Sequence, residues 1–113
     1  GLTAEFKYLD QSPEFFWIPP GYQSALGYDS VRAILERTAP YYGSIDYHFD
    51  QLHVFPLTEE LVNYNGILTG ILVDTSGMVT NISLIESGLL IKRDDGWKYL
   101  SGQTSVLPAA SHP

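Results

Sequence analysis

The sequence predicts an α+β domain in which one helix packs against a strongly twisted, mostly antiparallel sheet. Two observations lead to this prediction. An amphipathic run ends at Pro40, and four long β-rich runs separated by turn residues fill the second half of the chain. The helix and the sheet each have one apolar face to bury. Packing the helix on the concave face of the sheet buries both.

The N-terminal part of the chain predicts short extended segments. Residues 5–18 hold two apolar and aromatic runs separated by Gln11-Ser12-Pro13, a sequence typical of a turn. We therefore expect a pair of strand segments or a hairpin in this region. Pro19-Pro20-Gly21 then ends any regular structure.

The predicted helix comes next in the chain. Asp29 and Ser30 are residue types that cap the N-terminus of a helix, and Pro40 ends it. One face of the helix is apolar because suitable residues recur three or four positions apart: Val31, Ile34, Leu35 and Ala39.

Four strands complete the predicted fold. They cover residues 46–57, 61–73, 78–93 and a last run that ends at residue 107. Asn65-Gly66 is also a signal for a hairpin turn, but splitting the second run there leaves two short pieces, so we predict one long strand. The expected turns are Asp74-Thr75-Ser76-Gly77 and Asp94-Asp95-Gly96.

The register of the last hairpin defines a candidate pocket wall. Pairing Arg93 with Trp97 across the loop sets the opposite residues as Ile91 and Tyr99, Leu89 and Ser101, Ser87 and Gln103, and Ile85 and Ser105. The preceding turn places Tyr64 opposite Ser87. A face that only had to be buried would stay apolar, whereas this one becomes polar, so we interpret it as the wall of a partly polar cavity. The alternative is that these polar side chains face solvent or bond one another. The predicted wall consists of Tyr64, Ser87, Tyr99, Ser101, Gln103 and Ser105.

Composition and charge exclude several classes of partner. Thirteen acidic and six basic residues give a net charge of −7, which repels phosphate backbones and anionic lipids, so we expect no nucleic-acid or membrane partner. Cysteine is absent, which excludes disulfides and thiol catalysis. No apolar run has membrane-spanning length, and no signal peptide is recognisable. Localisation stays open between cytoplasm and, if a signal preceded Gly1, periplasm.

An H-x-D-x-x-H pattern supplies the candidate catalytic residues. In a regular strand His48 and Asp50 share one face while His53 points away, so a joint metal site would need a bulge, and we expect no metal. Ordinary half-exposed strand residues are one interpretation. The other is a general base, Asp50 or His48, that faces the pocket with its pKa moved by burial. No cofactor or phosphate-binding motif is present, so we expect no cofactor.

The closing strand resembles a known family. Asp95-Gly96-Trp97-Lys98-Tyr99 followed by Ser105 is similar to the end of the SnoaL-like branch of the NTF2-like superfamily, with Gln103 where a His is usual. The resemblance implies a cystatin/NTF2-like fold, in which a strongly curved mixed sheet wraps around a helix to form a cone-shaped pocket. It also implies a homodimer formed through the sheet. The family's long first helix has no counterpart before Phe6.

These observations lead to three functional hypotheses. The first is a single domain, residues 1–107 with a flexible tail at 108–113, that binds a small apolar ligand bearing polar groups, with Trp17 and Tyr28 added to the pocket wall. The second is an isomerase, dehydratase or polyketide cyclase that transfers protons in the same pocket, with Tyr64 or Tyr99 donating to an oxyanion. The third is an association module that acts through its sheet.

Overall fold

The computed structural model describes residues 2–108 and contains one α-helix and five strands. We label the helix α1 (Tyr28–Thr38), and two short 3-10 segments span Leu2–Tyr8 and Ala39–Tyr41. The strands are β1 (Phe16–Ile18), β2 (Tyr42–Pro56), β3 (Leu61–Asp74), β4 (Val79–Arg93) and β5 (Gly96–Val106). The tail predicted to be flexible lies, from residue 109 onward, outside the described residues.

All five strands form one sheet in the order β1-β5-β4-β3-β2. Strands β2 to β5 are an antiparallel meander, and β1 pairs with β5 in parallel. The predicted α+β class with a mixed, mostly antiparallel sheet is therefore confirmed. Within residues 2–108, no helix is both long enough and apolar enough to cross a membrane.

The N-terminal segment differs from its prediction. Instead of a first strand, Leu2–Tyr8 forms a 3-10 helix, and only Phe16–Ile18 is extended. A backbone bond, from the N–H of Asp10 to the carbonyl of Tyr99 at 2.9 Å, and a salt bridge hold the chain against the sheet between the 3-10 segment and β1. The carboxylate of Asp10, which is 5% exposed, accepts two bonds of 2.8 Å from the guanidinium of Arg93 at the end of β4.

The helix forms where the sequence predicts it, with a different cap. Gly27 is the N-cap residue and makes no side-chain cap bond, while Asp29 lies in the first turn, where a negative charge favours the helix dipole. Val31 is buried on the apolar face. The guanidinium of Arg32 lies 4.6 Å from the centre of the Phe6 ring, which holds the first 3-10 segment against α1. We call α1 and the Leu2–Tyr8 segment the helical layer.

The two faces of the sheet have different environments. Residues paired on neighbouring strands share a face, so the register separates the side chains into two sets. The inner face contains the buried residues Tyr64, Leu68 and Leu84 and lies under the helical layer. The outer face contains exposed apolar residues such as Phe16 and Ile85.

The predicted register between β3 and β4 is wrong by one residue. Tyr64 lies opposite Gly88, not Ser87, because Val73 pairs with Val79. The turn explains the shift. The carboxylate of Asp74 accepts bonds of 2.9 Å from the backbone N–H groups of Ser76 and Met78, which makes Met78 part of the turn.

A bulge changes the face of a second residue. Ser87 pairs with Gln103 and Leu89 with Ser101, as predicted, but the register shifts between Leu89 and Leu90. Tyr99 therefore pairs with Leu90 and lies on the inner face, whereas the prediction placed it beside the serines.

Candidate functional site

A hydrogen-bonded carboxyl group lies on the inner face. The hydroxyl of Tyr64 donates to Oε2 of Glu86 at 2.8 Å, and the hydroxyl of Thr104 donates to Oε1 at 2.8 Å. The indole N–H of Trp17 donates in turn to the Thr104 hydroxyl at 2.9 Å. Glu86 pairs with Gly66 and Thr104, so it lies on the face opposite to Ser87 and Gln103, and there it is partly buried under the helical layer.

Four aromatic rings form a row across the same face. Ring centres are 5.7 Å apart for Trp17 and Tyr99, 5.9 Å for Tyr99 and Tyr64, and 6.4 Å for Tyr64 and Phe49. Two of these contacts are edge-to-face and one is tilted, which are favoured arrangements for aromatic pairs. The four rings come from β1, β5, β3 and β2, so the sheet positions them rigidly. We call Trp17, Tyr99, Tyr64 and Phe49 the aromatic row.

The environment favours the neutral form of the acidic groups. Burial is the main cause that raises the pKa of Glu86, and the bonds from Tyr64 and Thr104 oppose it. The carboxyl of Glu5 acts in the same direction as burial, and its own pKa is also raised by burial. Burial, followed by the charge of Glu86, raises the pKa of Tyr99 to about 12 and that of Tyr64 further.

The hydrogen bonds around Glu86 are compatible with a proton on its carboxyl group. The indole N–H of Trp17 occupies one of the two lone pairs of the Thr104 hydroxyl, and the proton of that hydroxyl bonds Oε1. The Tyr64 hydroxyl can either donate to Oε2 or accept from it. Protonation of Glu86 at Oε2 is therefore compatible with this arrangement.

One side of the inner face is open to solvent. Leu52 and Val54 lie opposite Gly66 and Tyr64 on that face, and each is 49% exposed. The helical layer contacts β1 and β5, at the other edge of the sheet. A ligand can therefore approach the aromatic row from the β2 side.

The outer face carries a groove of about 460 Å³. Four of the predicted pocket residues line it, namely Tyr64, Ser87, Ser101 and Gln103, although the hydroxyl of Tyr64 bonds Glu86 on the inner face. Ser105 is exposed farther along the outer face, opposite Ile85. Exposed Phe16 lies at the groove with Asn63 and Asn65. The structure thus divides the predicted pocket wall between two faces, with Tyr64, Tyr99 and Trp17 on the inner one.

Tyr28 belongs to neither surface. It begins α1 and makes an edge-to-face contact of 5.9 Å with the buried ring of Phe15. A separate cavity of about 440 Å³ lies beside this pair.

The predicted catalytic pair is exposed. His48 pairs with Thr69 on the outer face, and its Nε2 lies 3.1 Å from Oδ1 of Asp50, which also accepts a bond of 2.6 Å from the Thr69 hydroxyl. A register shift between Phe49 and Gln51 brings His53 to the same face as His48, as a joint site would require. Nevertheless, no group of three potential metal ligands is found among residues 2–108.

Comparison with known proteins identifies the fold. The sequence matches no protein-family model and no curated protein. A protein from Xanthomonas campestris assigned as a calcium/calmodulin dependent protein kinase II association domain superposes with a TM-score of 0.78, at 14% identity, over 96% of this chain and 82% of that one. An NTF2-like superfamily protein from Salmonella enterica serovar Typhimurium superposes with a TM-score of 0.75, at 16% identity, over 98% and 80% of the two chains. The chain has the NTF2-like fold.

A third solved structure with this fold has a different functional name. A ketosteroid isomerase-like protein from Erwinia carotovora atroseptica superposes with a TM-score of 0.68, at 19% identity, over 95% of this chain and 82% of that one. Since all three identities are low, the likeness concerns the NTF2-like fold and leaves the function open. Assignment to the SnoaL-like branch stays a prediction.

The residues that sequence reasoning missed on the NTF2-like inner face are Glu86, Thr104 and Glu5. A signal for the first two was present, because the predicted pairing of Ser87 with Gln103 places Glu86 opposite Thr104. No comparable signal existed for Glu5, since it lies in the segment predicted as a strand.

Proposed function

We propose that this domain binds a small apolar molecule bearing polar groups on the inner face of its sheet. One observation carries the proposal: the partly buried carboxyl of Glu86 is fixed by two hydroxyl groups in the middle of the aromatic row. The rings supply apolar contact area, and the carboxyl with its hydroxyl partners supplies orientation. The ketosteroid isomerase-like protein of the same fold supports a small-molecule role.

The experiment compares ligand-induced stabilisation of the wild type and of two variants, one for each face. A panel of hydroxylated and ketonic hydrophobic molecules is screened by thermal unfolding, where a ligand at a hundred times its Kd adds about 2.7 kcal/mol to native stability. We expect a hit that is weakened by Tyr64→Phe, which removes one hydroxyl on the inner face, and unchanged by Gln103→Ala on the outer face. A hit weakened only by Gln103→Ala would move the site to the outer groove, and no hit at all would contradict small-molecule binding.

A second candidate function is proton transfer in the same site, with Glu86 in place of His48 and Asp50. The raised pKa of Glu86 favours it, because a carboxyl group that keeps its proton to a higher pH than an exposed glutamate is better suited to give and take a proton. Any hit from the panel that contains an acidic C–H bond would then exchange that proton with deuterated solvent in the presence of the protein. Glu86→Gln should abolish the exchange while ligand binding persists.

A third candidate is association of two copies through the outer face. Exposed apolar side chains on that face favour it: Phe16 is 42% exposed, Ile85 45% and Phe55 54%. The protein from Xanthomonas campestris that shares the fold is named as an association domain, which also supports this candidate. Self-association does not compete with binding on the inner face, so both can hold.

A further inference from the structure

The carboxyl of Glu86 lacks a positively charged partner in the part of the chain that the structure describes. Both of its bonds come from neutral hydroxyl groups, and the described salt bridges of this protein engage Arg32, Arg93, Lys98 and His48 elsewhere. The other carboxyl group that acts on Glu86 is that of Glu5, which raises the pKa of Glu86 in addition to burial. A carboxylate removed from water is normally compensated by a cation, and here no such cation is supplied by the described residues.

The surroundings of this carboxyl are rich in π-electron surface. Tyr64 and Tyr99 lie beside each other, Trp17 contacts Tyr99, and Phe49 contacts Tyr64. Tyr47 extends the same face along β2, is 39% exposed, and is close enough to Glu5 and Glu86 for both to influence its pKa. Aromatic faces attract organic cations, and the attraction grows when the cation is removed from water.

We propose that the inner face binds an organic cation, an amine or quaternary ammonium group attached to an apolar body. This inference rests on the proposed small-molecule function and specifies the charge of the ligand. The ammonium group lies against the rings of Tyr64 and Tyr99 and neutralises Glu86, while the apolar body contacts Leu52 and Val54 at the open side. An anionic ligand is disfavoured on this face because it would meet the carboxyl groups of Glu5 and Glu86.

The charge of the whole molecule favours the same ligand class. A net charge of −7 raises the local concentration of small cations around the protein and lowers that of anions. The open side of the inner face, at Leu52 and Val54, is where a cation from solvent first meets this surface. Both the groups around Glu86 and the net charge of the molecule therefore favour a positively charged ligand.

The test uses a matched pair of probes that differ only in charge. Choline is compared with its neutral carbon isostere, in which a tert-butyl group replaces the trimethylammonium group. Binding to the full chain is followed by NMR chemical-shift titration. We expect choline to bind about tenfold more tightly than the isostere, since a desolvated cation–π contact is worth roughly a factor of ten or more.

Two variants assign the preference to particular groups. Glu86→Gln keeps the size and hydrogen-bonding capacity of the side chain, and we expect it to reduce the preference for choline about tenfold while leaving the isostere unchanged. Glu59→Gln removes the same charge from an exposed position and should change neither probe. Tyr99→Phe keeps the ring and should keep choline binding, whereas Tyr99→Leu should lose it.

The possible outcomes separate this inference from the proposed function. Equal binding of both probes, or tighter binding of the isostere, overturns the cation inference and leaves small-molecule binding standing. Equal loss of choline binding in Glu86→Gln and Glu59→Gln also overturns it, because the attraction would then be non-specific. If neither probe binds at concentrations up to the millimolar range, the cation inference is overturned. The panel of neutral ligands then tests the proposed small-molecule binding separately.

Discussion

The carboxyl of Glu86 destabilises the native state at neutral pH. Burial raises its pKa, so the folded protein binds this proton more tightly than the unfolded chain does. Below the ordinary pKa of a glutamate, Glu86 is neutral and the native state has its full stability. As the pH rises through the higher pKa of the folded state, Glu86 ionises and this stability is lost. We therefore expect Glu86→Gln to raise the free energy of unfolding at neutral pH, with the gain disappearing in acid.

Urea unfolding of both proteins from acid to neutral pH measures this difference. Glu59→Gln is the control, because it changes the net charge equally at an exposed position and should follow the wild type. A destabilising Glu86→Gln substitution at neutral pH would show that the two hydroxyl bonds outweigh the effect of burial.

Tyr64 is expected to contribute to stability through its hydroxyl group. Its side chain is 4% exposed, and its bond to Glu86 is one to an ionisable acceptor. Loss of such a bond costs about 1.5–3 kcal/mol, so Tyr64→Phe should destabilise the protein by that amount. Tyr41→Phe, at a position that is 69% exposed, should stay within about 0.5 kcal/mol of the wild type. Equal urea midpoints for the two variants would contradict this expectation.

At the scale of residues, the sequence predicts which residues pair between strands better than it predicts on which face of the sheet a side chain lies. The partners of Ser87, Leu89 and Ile85 on β5 are those predicted. Tyr64 and Tyr99 were placed on the wrong face, because a shift of one residue moves a side chain to the other side of a sheet. The two causes, the turn held by Asp74 and the bulge after Leu89, depend on local geometry that residue types alone do not specify.

At the scale of elements, Gly66 belongs to a dipeptide that is typical of turns but lies inside a strand. Close neighbours at this position leave no room for a side chain. A Cβ atom there would lie 2.5 Å from the carbonyl oxygen of Gln51 and 2.7 Å from the ring of Phe49. We expect Gly66→Ala to destabilise the protein by about 1–3 kcal/mol, the usual cost of overpacking. At Gly43 the nearest atoms would be 3.7 Å away, so Gly43→Ala should be tolerated. Urea unfolding compares the two, and equal effects would contradict the expected clash.

The pair of Asp10 and Arg93 attaches the N-terminal segment to the β4–β5 hairpin. The bond from Arg93 lowers the pKa of Asp10, so the stability it contributes is present above the ordinary pKa of an aspartate and is lost as the pH falls through the lower pKa of the folded state. Asp10→Asn should therefore destabilise the protein at neutral pH and become neutral in strong acid, the opposite of Glu86→Gln.

Hydrogen exchange of residues 2–10 provides the local measurement for this pair. In the wild type the backbone N–H of Asp10 donates to the carbonyl of Tyr99 at 2.9 Å, and we expect the amide at this position to exchange faster in Asp10→Asn. Asp94→Asn, in the exposed loop of the same hairpin, is the control and should leave this amide protected. Unchanged exchange in both variants would show that the segment is held by other contacts.

The helix and the long strands, in which apolar residues recur at regular spacing, could be predicted from the sequence. The N-terminal segment has no such spacing and could not. Alternation and turn chemistry indicate β3 and β4 nearly to their ends, and spacing of apolar residues indicates α1. The first part of the segment 5–18 was wrongly predicted as a strand, because its apolar residues suit either conformation, and it belongs to the 3-10 helix Leu2–Tyr8. The contact that holds the chain after this helix, from Asp10 to Arg93, joins residues far apart in sequence. The parallel pairing of β1 with β5 joins residues far apart in sequence, and the closing-strand resemblance suggested it only as part of a mixed sheet.

At the scale of the whole molecule, the sheet is covered on one side only. The radius of gyration is 14.8 Å, compared with about 13 Å for a compact domain of this length. Among the described residues, no large side chain is less than 2% exposed. A domain with so thin a core gains stability if its outer face is covered by a second copy. Under the two proposals above, the ligand would bind the inner face of the sheet and the second copy the outer face.

Association of two copies should depend on salt and on one residue in the centre of the outer face. Each copy carries a net charge of −7, and salt at 0.1 M screens charges beyond about 10 Å, so added salt should strengthen the dimer. Ile85, which is 45% exposed on β4, should lie in the interface, and Ile85→Lys should weaken association at least tenfold by burying a charge. Met78→Lys adds the same charge in a turn, at a residue that is 65% exposed, and should leave association intact. Sedimentation velocity over a range of concentrations measures the three proteins, and a mass of one chain for the wild type at high salt would contradict association through this face.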